Sequence, residues 1–428
     1  MLSRKLLIVL AVSGGALSIL LLFQGGFGPF SQGMQVMSAW TQGAGVFFVD
    51  SISVREIRRH YEGIAGRSAA RTRTTKLKIL IVPGHEPRTG GTVFRGVYER
   101  DIVVEIADML ATYLEDNGHY DVTVARSKGA WDPDLQTYFD AQAADIEEFR
   151  EDQALQMATH LADGSVQLAD DQMGHLRASP QGALKLYGIN KWTSEHQYDI
   201  TLHLHTNDAG GRRRGRIGAY DGFAVYVPDR QYSNAKASRA LGEALAKRLS
   251  AYHATSTLPL ESMGVIEDQT LIAVGSNNSA EAAALLIEYG YIYEPQFQSA
   301  SVLPVAERDY AYQTYLGLQD FLGDPVRAAY GAASLPYDLS AVTGRAGERG
   351  PGVYALQAAL HHLGYYPAMS DSFSNCPISG EAGPCTHRAI EAYQRARGLE
   401  ATGTLGPQTR EALTRDLATP DVPSLTRR

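Results

Sequence analysis

His85, Glu99, His205 and Glu288 are the residues of this chain whose types and settings suit one piece of chemistry. Two imidazoles and one carboxylate can hold a catalytic zinc ion while leaving a coordination position open for water. A further carboxylate can take a proton from that water and pass it to a departing amine. That is the minimal equipment for hydrolysing an amide bond. The four lie in separate phrases: Ile81-Val82-Pro83-Gly84-His85, Tyr98-Glu99-Arg100-Asp101, His205-Thr206-Asn207 and Leu286-Ile287-Glu288-Tyr289-Gly290.

The elements that must position them are legible as periodicity. Leu77 to Val82 is a short apolar run stopped by Pro83-Gly84, as expected of a buried strand. Apolar residues at 102, 103, 106, 110, 113 and 114 mark one face of a helix that Asn117-Gly118 stops, so Glu99 opens that helix. Tyr120 to Val124 alternates like a strand. Ile200 to Leu204, Gly222 to Val227 and Ala283 to Ile287 read as further strands, and Ala235 to Tyr252 and Asp309 to Leu322 as helices. Such alternation predicts an α/β domain with a mixed sheet covered by helices on both faces. Four candidates at element ends can then meet at one edge of the sheet, where open α/β sheets place ligands.

Composition bounds the rest. A formal net charge of −8 argues against nucleic acid as a partner, which normally requires a basic face. Arg4 and Lys5 precede an apolar run, Leu6 to Phe23, that approaches the length of a membrane span and predicts an N-terminal transmembrane helix, a signal anchor. A cleaved signal peptide is the alternative, and both export the remainder. Residues 24–76 read as a juxtamembrane spacer with one short helix from Val54 to Ile64; residues 128–183 read as a polar, acidic insertion whose clearest helix runs from Leu135 to His160. That insertion is expected to border the cleft and restrict access to it. Residues 324–351, rich in Gly, Ala and Pro, read as a linker, and 415–428 as a tail.

Each site residue has a bland alternative. A histidine after a strand is more often a hydrogen-bonded loop residue, Glu99 can serve the helix dipole, and Glu288 can be a buried acid paired with an arginine. His203 competes with His205, because residues two apart on a strand share a face. Sequence physics alone does not choose between the two histidines.

The four phrases, in this order, resemble the zinc-dependent N-acetylmuramoyl-L-alanine amidases over residues 77–323. That family has a strand leading into Gly-His, a Glu-Arg-Asp phrase opening a helix, an Asp (Asp199 here) before a strand ending in His-x-Asn, and a strand running into Glu-x-Gly. Lys185 and Asn190 suit its Arg/Lys-x4-Asn approach to the third strand. The register implies that His85, Glu99 and His205 hold Zn2+, with His203 standing where the family usually has serine. It implies that Glu288 serves as general base and then acid, and that the amide between N-acetylmuramic acid and L-alanine is cut in cell-wall peptidoglycan. Asn207 is left between orienting the site, binding substrate and acting as a turn residue. Arg212-Arg213-Arg214-Gly215-Arg216 either attracts the carboxylates of stem peptides or, more commonly, is a solvated loop. Departures from the family are Glu86-Pro87 in place of glycines and the long insertion.

Residues 352–414 resemble the three-helix peptidoglycan-binding domain through Val353-x-x-Leu356-Gln357-x-x-Leu360, Thr386-x-x-Ala389-Ile390-x-x-Tyr393-Gln394 and Thr402-Gly403-x-Leu405-Gly406-Pro407. Peptidoglycan is the expected partner, with an envelope activator protein as a further candidate and the membrane reached through the N-terminal helix. Cys376 and Cys385, alone in the chain and flanking a turn-rich loop, are expected to form a disulfide in an oxidising envelope. Two rival readings are a zinc peptidase that trims stem peptides and a wall-binding scaffold with a disabled site. Only an amidase frees intact stem peptides, and a disabled site would bind no zinc.

Overall fold

The apolar run at residue 77 becomes the first strand of a six-stranded sheet in the computed structural model, which describes residues 7–13, 16–22, 54–58, 76–169, 178–210, 212–323 and 339–418. The strands are β1 (Leu77–Pro83), β2 (Tyr120–Val124), β3 (Ile200–Asn207), β4 (Ala224–Pro228), β5 (Val265–Asp268) and β6 (Ala283–Tyr291), arranged in space as β2-β1-β3-β6-β4-β5. The first four in that order are parallel, whereas β4 pairs antiparallel with β6 and β5 lies parallel to β4. The sheet is therefore mixed.

Alternation along the strands divides two cores. Ile79, Ile81, Ile200, Leu202, Leu204, Leu285 and Ile287 face one way, into a cluster with α1 (Glu99–Asn117), α5 (Ala235–Leu249) and α6 (Leu303–Leu322). Leu80 and Val82 face the other way, against α2 (Pro133–Ala141), α3 (Ala143–Asp163) and α4 (Pro180–Glu195). Both sets are buried, which is why these strands read as continuous apolar runs.

Local signals set the helix ends. Gly118 closes α1 in the left-handed region, its N–H donating to the Glu115 carbonyl. Asp132 caps α2 by accepting from the Asp134 and Leu135 amides, and Ser179 caps α4 ahead of Pro180. The expected single helix from Leu135 to His160 is two helices, because Gln142 leaves the helical conformation at φ −111° and ψ 18°. The short edge strand β5 lacked a clear alternating signal.

The apolar run Leu6–Phe23 differs from its expected transmembrane helix. Leu7–Ser13 and Ala16–Leu22 pair as antiparallel strands, Leu7 opposite Leu22 and Ser13 opposite Ala16. No helix among the described residues is long and apolar enough to cross a membrane. The sequence between them, Gly14-Gly15, lies outside the described residues, and paired glycines weaken a helix. In the spacer, residues 54–58 are helical, and Arg58 Nε donates to the Phe321 carbonyl at 2.6 Å; residues 59–64 of that expected helix lie outside the described residues.

The C-terminal module has three helices, α7 (Pro351–His362), α8 (Pro384–Ala396) and α9 (Pro407–Ala418). Residues 339–350, read as linker, fold onto it: Leu405 N–H donates to the Thr343 carbonyl, and Arg410 donates to the carbonyls of Leu339 and Val342. Cys376 and Cys385 are joined by a disulfide between α7 and α8. Closing this short loop should stabilise the module by roughly 2–3 kcal/mol in the chain-entropy model. Replacing both cysteines with serine is therefore expected to lower the thermal midpoint of the module while hydrolysis of a soluble substrate persists; an unchanged melting curve would contradict this.

Candidate metal centre

Three parallel neighbours, β1, β3 and β6, finish at the same edge of the sheet. His85 follows β1, His205 lies near the end of β3, and Glu288 stands opposite His205 on β6. Glu99 comes from the first turn of α1. One potential ligand atom from each of His85, Glu99 and His205 lies within 4.8 Å of the others.

Glu99 is the hub of this cluster and is 3% exposed. Its Oε1 meets His205 Nδ1 at 3.0 Å and the Thr206 N–H at 3.1 Å; its Oε2 meets His85 Nε2 at 2.9 Å and the Thr92 N–H at 2.8 Å. Burial would raise its pKa, but the two imidazoles and their hydrogen bonds hold the carboxylate well below the usual range. His205 is pushed down by burial, with His85 adding to that and Glu99 opposing it, which favours the neutral imidazole a metal needs. Two imidazoles and one ionised carboxylate form a donor set that fits a divalent cation.

The backbone is shaped to this cluster. Gly84 packs under His205: a Cβ there would lie 2.3 Å from the ring. His85 adopts φ 69°, a left-handed conformation rare for residues with a side chain, and it turns the imidazole back towards Glu99. At Gly91, with φ 76°, a side chain would press on both His85 and Glu99.

Glu288 is half-buried, and its Oε2, closed off from solvent, has no hydrogen-bond partner among the described residues. Burial first, then the charges of Glu99 and Glu261, pushes its pKa well above that of an ordinary carboxylate. His203 shares the face of β3 with His205 yet stays outside the cluster, with both ring nitrogens buried and unpartnered. Burial, then the neighbouring His205, lowers its pKa to about 3. Asn207 is used by the protein itself: Nδ2 donates to Glu261 Oε1 at 2.8 Å, and Oδ1 accepts from the Asp208 N–H.

Sequence reading missed two groups. Arg126, 1% exposed, lies just beyond β2 and donates to the carbonyls of Pro83, Gly84 and Arg100, fixing the turn that presents His85. Glu261, fully buried, accepts from Asn207, Ser256, and the hydroxyls of Tyr226 and Tyr291. Neither residue type is ordinarily buried, so pattern reading assigns both to the surface. Lys185 was singled out, and its Nζ reaches Glu86 at 2.8 Å beside Trp131 Nε1, so α4 and the insertion touch the residue that follows His85. Asn190 is structural, donating to the Ile272 carbonyl and Ser279 Oγ.

Gly84→Ala is expected to displace the His205 ring. Purified protein should then carry less than about a tenth of the wild-type metal, since losing one of three ligands typically costs well over tenfold in affinity. Metal content measured by mass spectrometry checks this, and full occupancy would contradict it.

The N-acetylmuramoyl-L-alanine amidase family matches residues 79–320, and a peptidoglycan-binding domain family matches residues 349–413. Among solved structures, the amidase Ami1 from Mycobacterium smegmatis is similar at 12% identity over 58% of this chain and 97% of that one, with a TM-score of 0.39. The CwlD amidase from Clostridioides difficile, solved with the GerS lipoprotein, is similar at 14% identity over 58% and 98%, with a TM-score of 0.38. AmiC2 of Nostoc punctiforme follows at 15% identity over 58% and 98%, with a TM-score of 0.36. No curated protein sequence matches the chain. Since the amidase family spans more than half of the sequence and includes every residue of the cluster, the chain belongs to the N-acetylmuramoyl-L-alanine amidases, hydrolases of an amide bond in peptidoglycan, and carries a peptidoglycan-binding domain behind the catalytic one.

Proposed function

We propose that the cation taken by His85, Glu99 and His205 is zinc and that Glu288 carries the proton in the hydrolysis. The observation that supports this most is the convergence of three ligand atoms within 4.8 Å at the edge where Glu288 stands opposite His205. Zinc held there supplies a Lewis acid that lowers the pKa of a water and polarises the scissile carbonyl. The remaining work falls to the chain. Glu288 accepts the water's proton and returns it to the nitrogen of L-alanine as the bond to the lactyl group of N-acetylmuramic acid breaks. A pKa raised by burial and by two neighbouring carboxylates suits the second step, in which the acid must give up a proton to a poor leaving group. Arg126 and Gly84 hold His85 and His205 in place while this happens.

The same reading places the chain in the cell envelope, outside the cytoplasmic membrane. Its substrate and the partner of its C-terminal domain are wall material, and its two cysteines are paired. Export and membrane attachment would use Leu6–Phe23, and an envelope activator protein belongs to the same picture. Tethering by the binding domain raises the effective concentration of enzyme at the wall without any new contact at the catalytic site. The insertion would restrict entry, a role supported by the contact of Trp131 and Lys185 with Glu86.

Three variants test the assignment. Glu288→Gln should retain zinc and lose hydrolysis by about a hundredfold or more. His205→Ala should lose both, and His203→Ala should keep the metal. Metal analysis together with mass spectrometry of digested sacculi reads the outcome: wild type should release intact stem peptides. Shortened peptides still attached to glycan would instead identify a peptidase, and a metal lost with His203 but not with His205 would overturn the ligand set.

A further inference from the structure

The connection from β3 to β4 takes no part in the chemistry above, yet topology carries it over the site. Because β6 lies between those two strands, the connection, described at residues 208–210 and 212–223, crosses the end of β6 beyond Glu288. Arg212 is the strut of this loop. Its Nε and Nη2 donate to the Asp208 carboxylate at 2.5 and 2.7 Å, and its Nη1 donates to the Arg216 carbonyl at 2.9 Å. The guanidinium also lies over the rings of Phe94 and Tyr293. Asp208 accepts from Thr92 Oγ1 at 2.6 Å, and the Thr92 N–H donates to Glu99 at 2.8 Å. The loop is thus pinned, through two side chains, to the carboxylate at the centre of the metal cluster.

Arg213, Arg214 and Arg216 stand apart from that strut. All three are exposed, and among the described residues none has a carboxylate within ion-pair distance. Three uncompensated guanidinium groups on a fixed loop make a local positive field in a chain whose net charge is −8. The Arg212 strut meets part of the ordering cost of the loop backbone that carries the three arginines.

We propose that Arg213, Arg214 and Arg216 form a rim that binds the free carboxylates of the peptide stem being released, so that the enzyme distinguishes acidic stems from amidated ones. This rests on the proposed role of Glu288. The group that protonates the leaving nitrogen must lie on the peptide side of the scissile bond, and the loop crosses the strand that carries it. Planar guanidinium forks match carboxylates in geometry as well as charge, and a neutral carboxamide offers them neither the charge nor a second acceptor oxygen.

The test uses the full-length zinc-loaded enzyme and two soluble muropeptides that differ only in free carboxylate against carboxamide along the stem. Wild type should favour the acid in kcat/KM by about tenfold, from roughly twofold to threefold per exposed arginine, mainly through KM. R213Q/R214Q/R216Q should bring the ratio close to one, with metal content and melting temperature unchanged. High salt should have the same effect on wild type. Replacement of the three by lysine should restore part of the preference. A wild-type ratio near one, or a preference that survives the triple substitution, overturns the rim. If the triple variant keeps the preference but loses retention on a polyglycerol phosphate column, the arginines serve an anionic wall polymer and the proposal also fails. Cleavage of neither muropeptide would instead sink the amidase mechanism itself.

Discussion

A buried carboxylate between two imidazoles is the constraint on which the rest of the molecule turns. Glu99 is removed from water and must be met on every side, and four groups from three segments converge on it: His85, the Thr92 amide, and His205 with the Thr206 amide on β3. An ionised acid left unmet in such a place would be costly enough to protonate instead. The surrounding architecture therefore has little freedom. β1 and β3 must be neighbours and parallel, the turn after β1 must fold back at a left-handed His85, and α1 must begin at residue 99.

The second tier repeats the logic with opposite charge. Arg126 is a buried cation satisfied by main-chain carbonyls rather than acids, and those carbonyls belong to the turn before His85 and to α1. On the other flank, buried Glu261 is met by an amide and three hydroxyls, which fasten the end of β3 to the segment ahead of β5. Its uncompensated charge reaches Glu288 and strengthens that residue's hold on a proton. Positioning and proton affinity thus share one cause, the gathering of acids where water is excluded.

The binding module is drawn into the same frame. Its core residues Val353, Tyr354 and Ile390 belong to one hydrophobic cluster with Tyr310, Phe297 and Val302 of the catalytic domain. His361 lies 3.2 Å from the Ser250 carbonyl through Nε2, and His362 stacks on Tyr252. The disulfide loop supplies Phe373, Pro377 and Ile378 to a small cavity that it shares with His253, Glu294 and Tyr310.

The sequence by itself determined the elements and the chemistry available to them. Runs such as Leu77–Val82 and Ala283–Ile287 read as buried strands, and two histidines with two glutamates at element ends suited a zinc hydrolase, a reading that the family resemblance narrowed to one amide bond. It left His203 and His205 equivalent, because alternation places both on one face of β3. The family register pointed to His205, and the tertiary structure brings His205 rather than His203 beside His85 and Glu99, since the turn after β1 and the start of α1 meet that face at the end of the strand. Arg126 and Glu261 were invisible for the same reason: their burial depends on partners distant in the chain, and no local pattern records it. For the apolar run at residues 6–23, hydropathy gives length and apolarity but not conformation, and Leu7–Ser13 and Ala16–Leu22 pair as strands. Local physics decides what a segment can be, and long-range packing decides which of its residues meet.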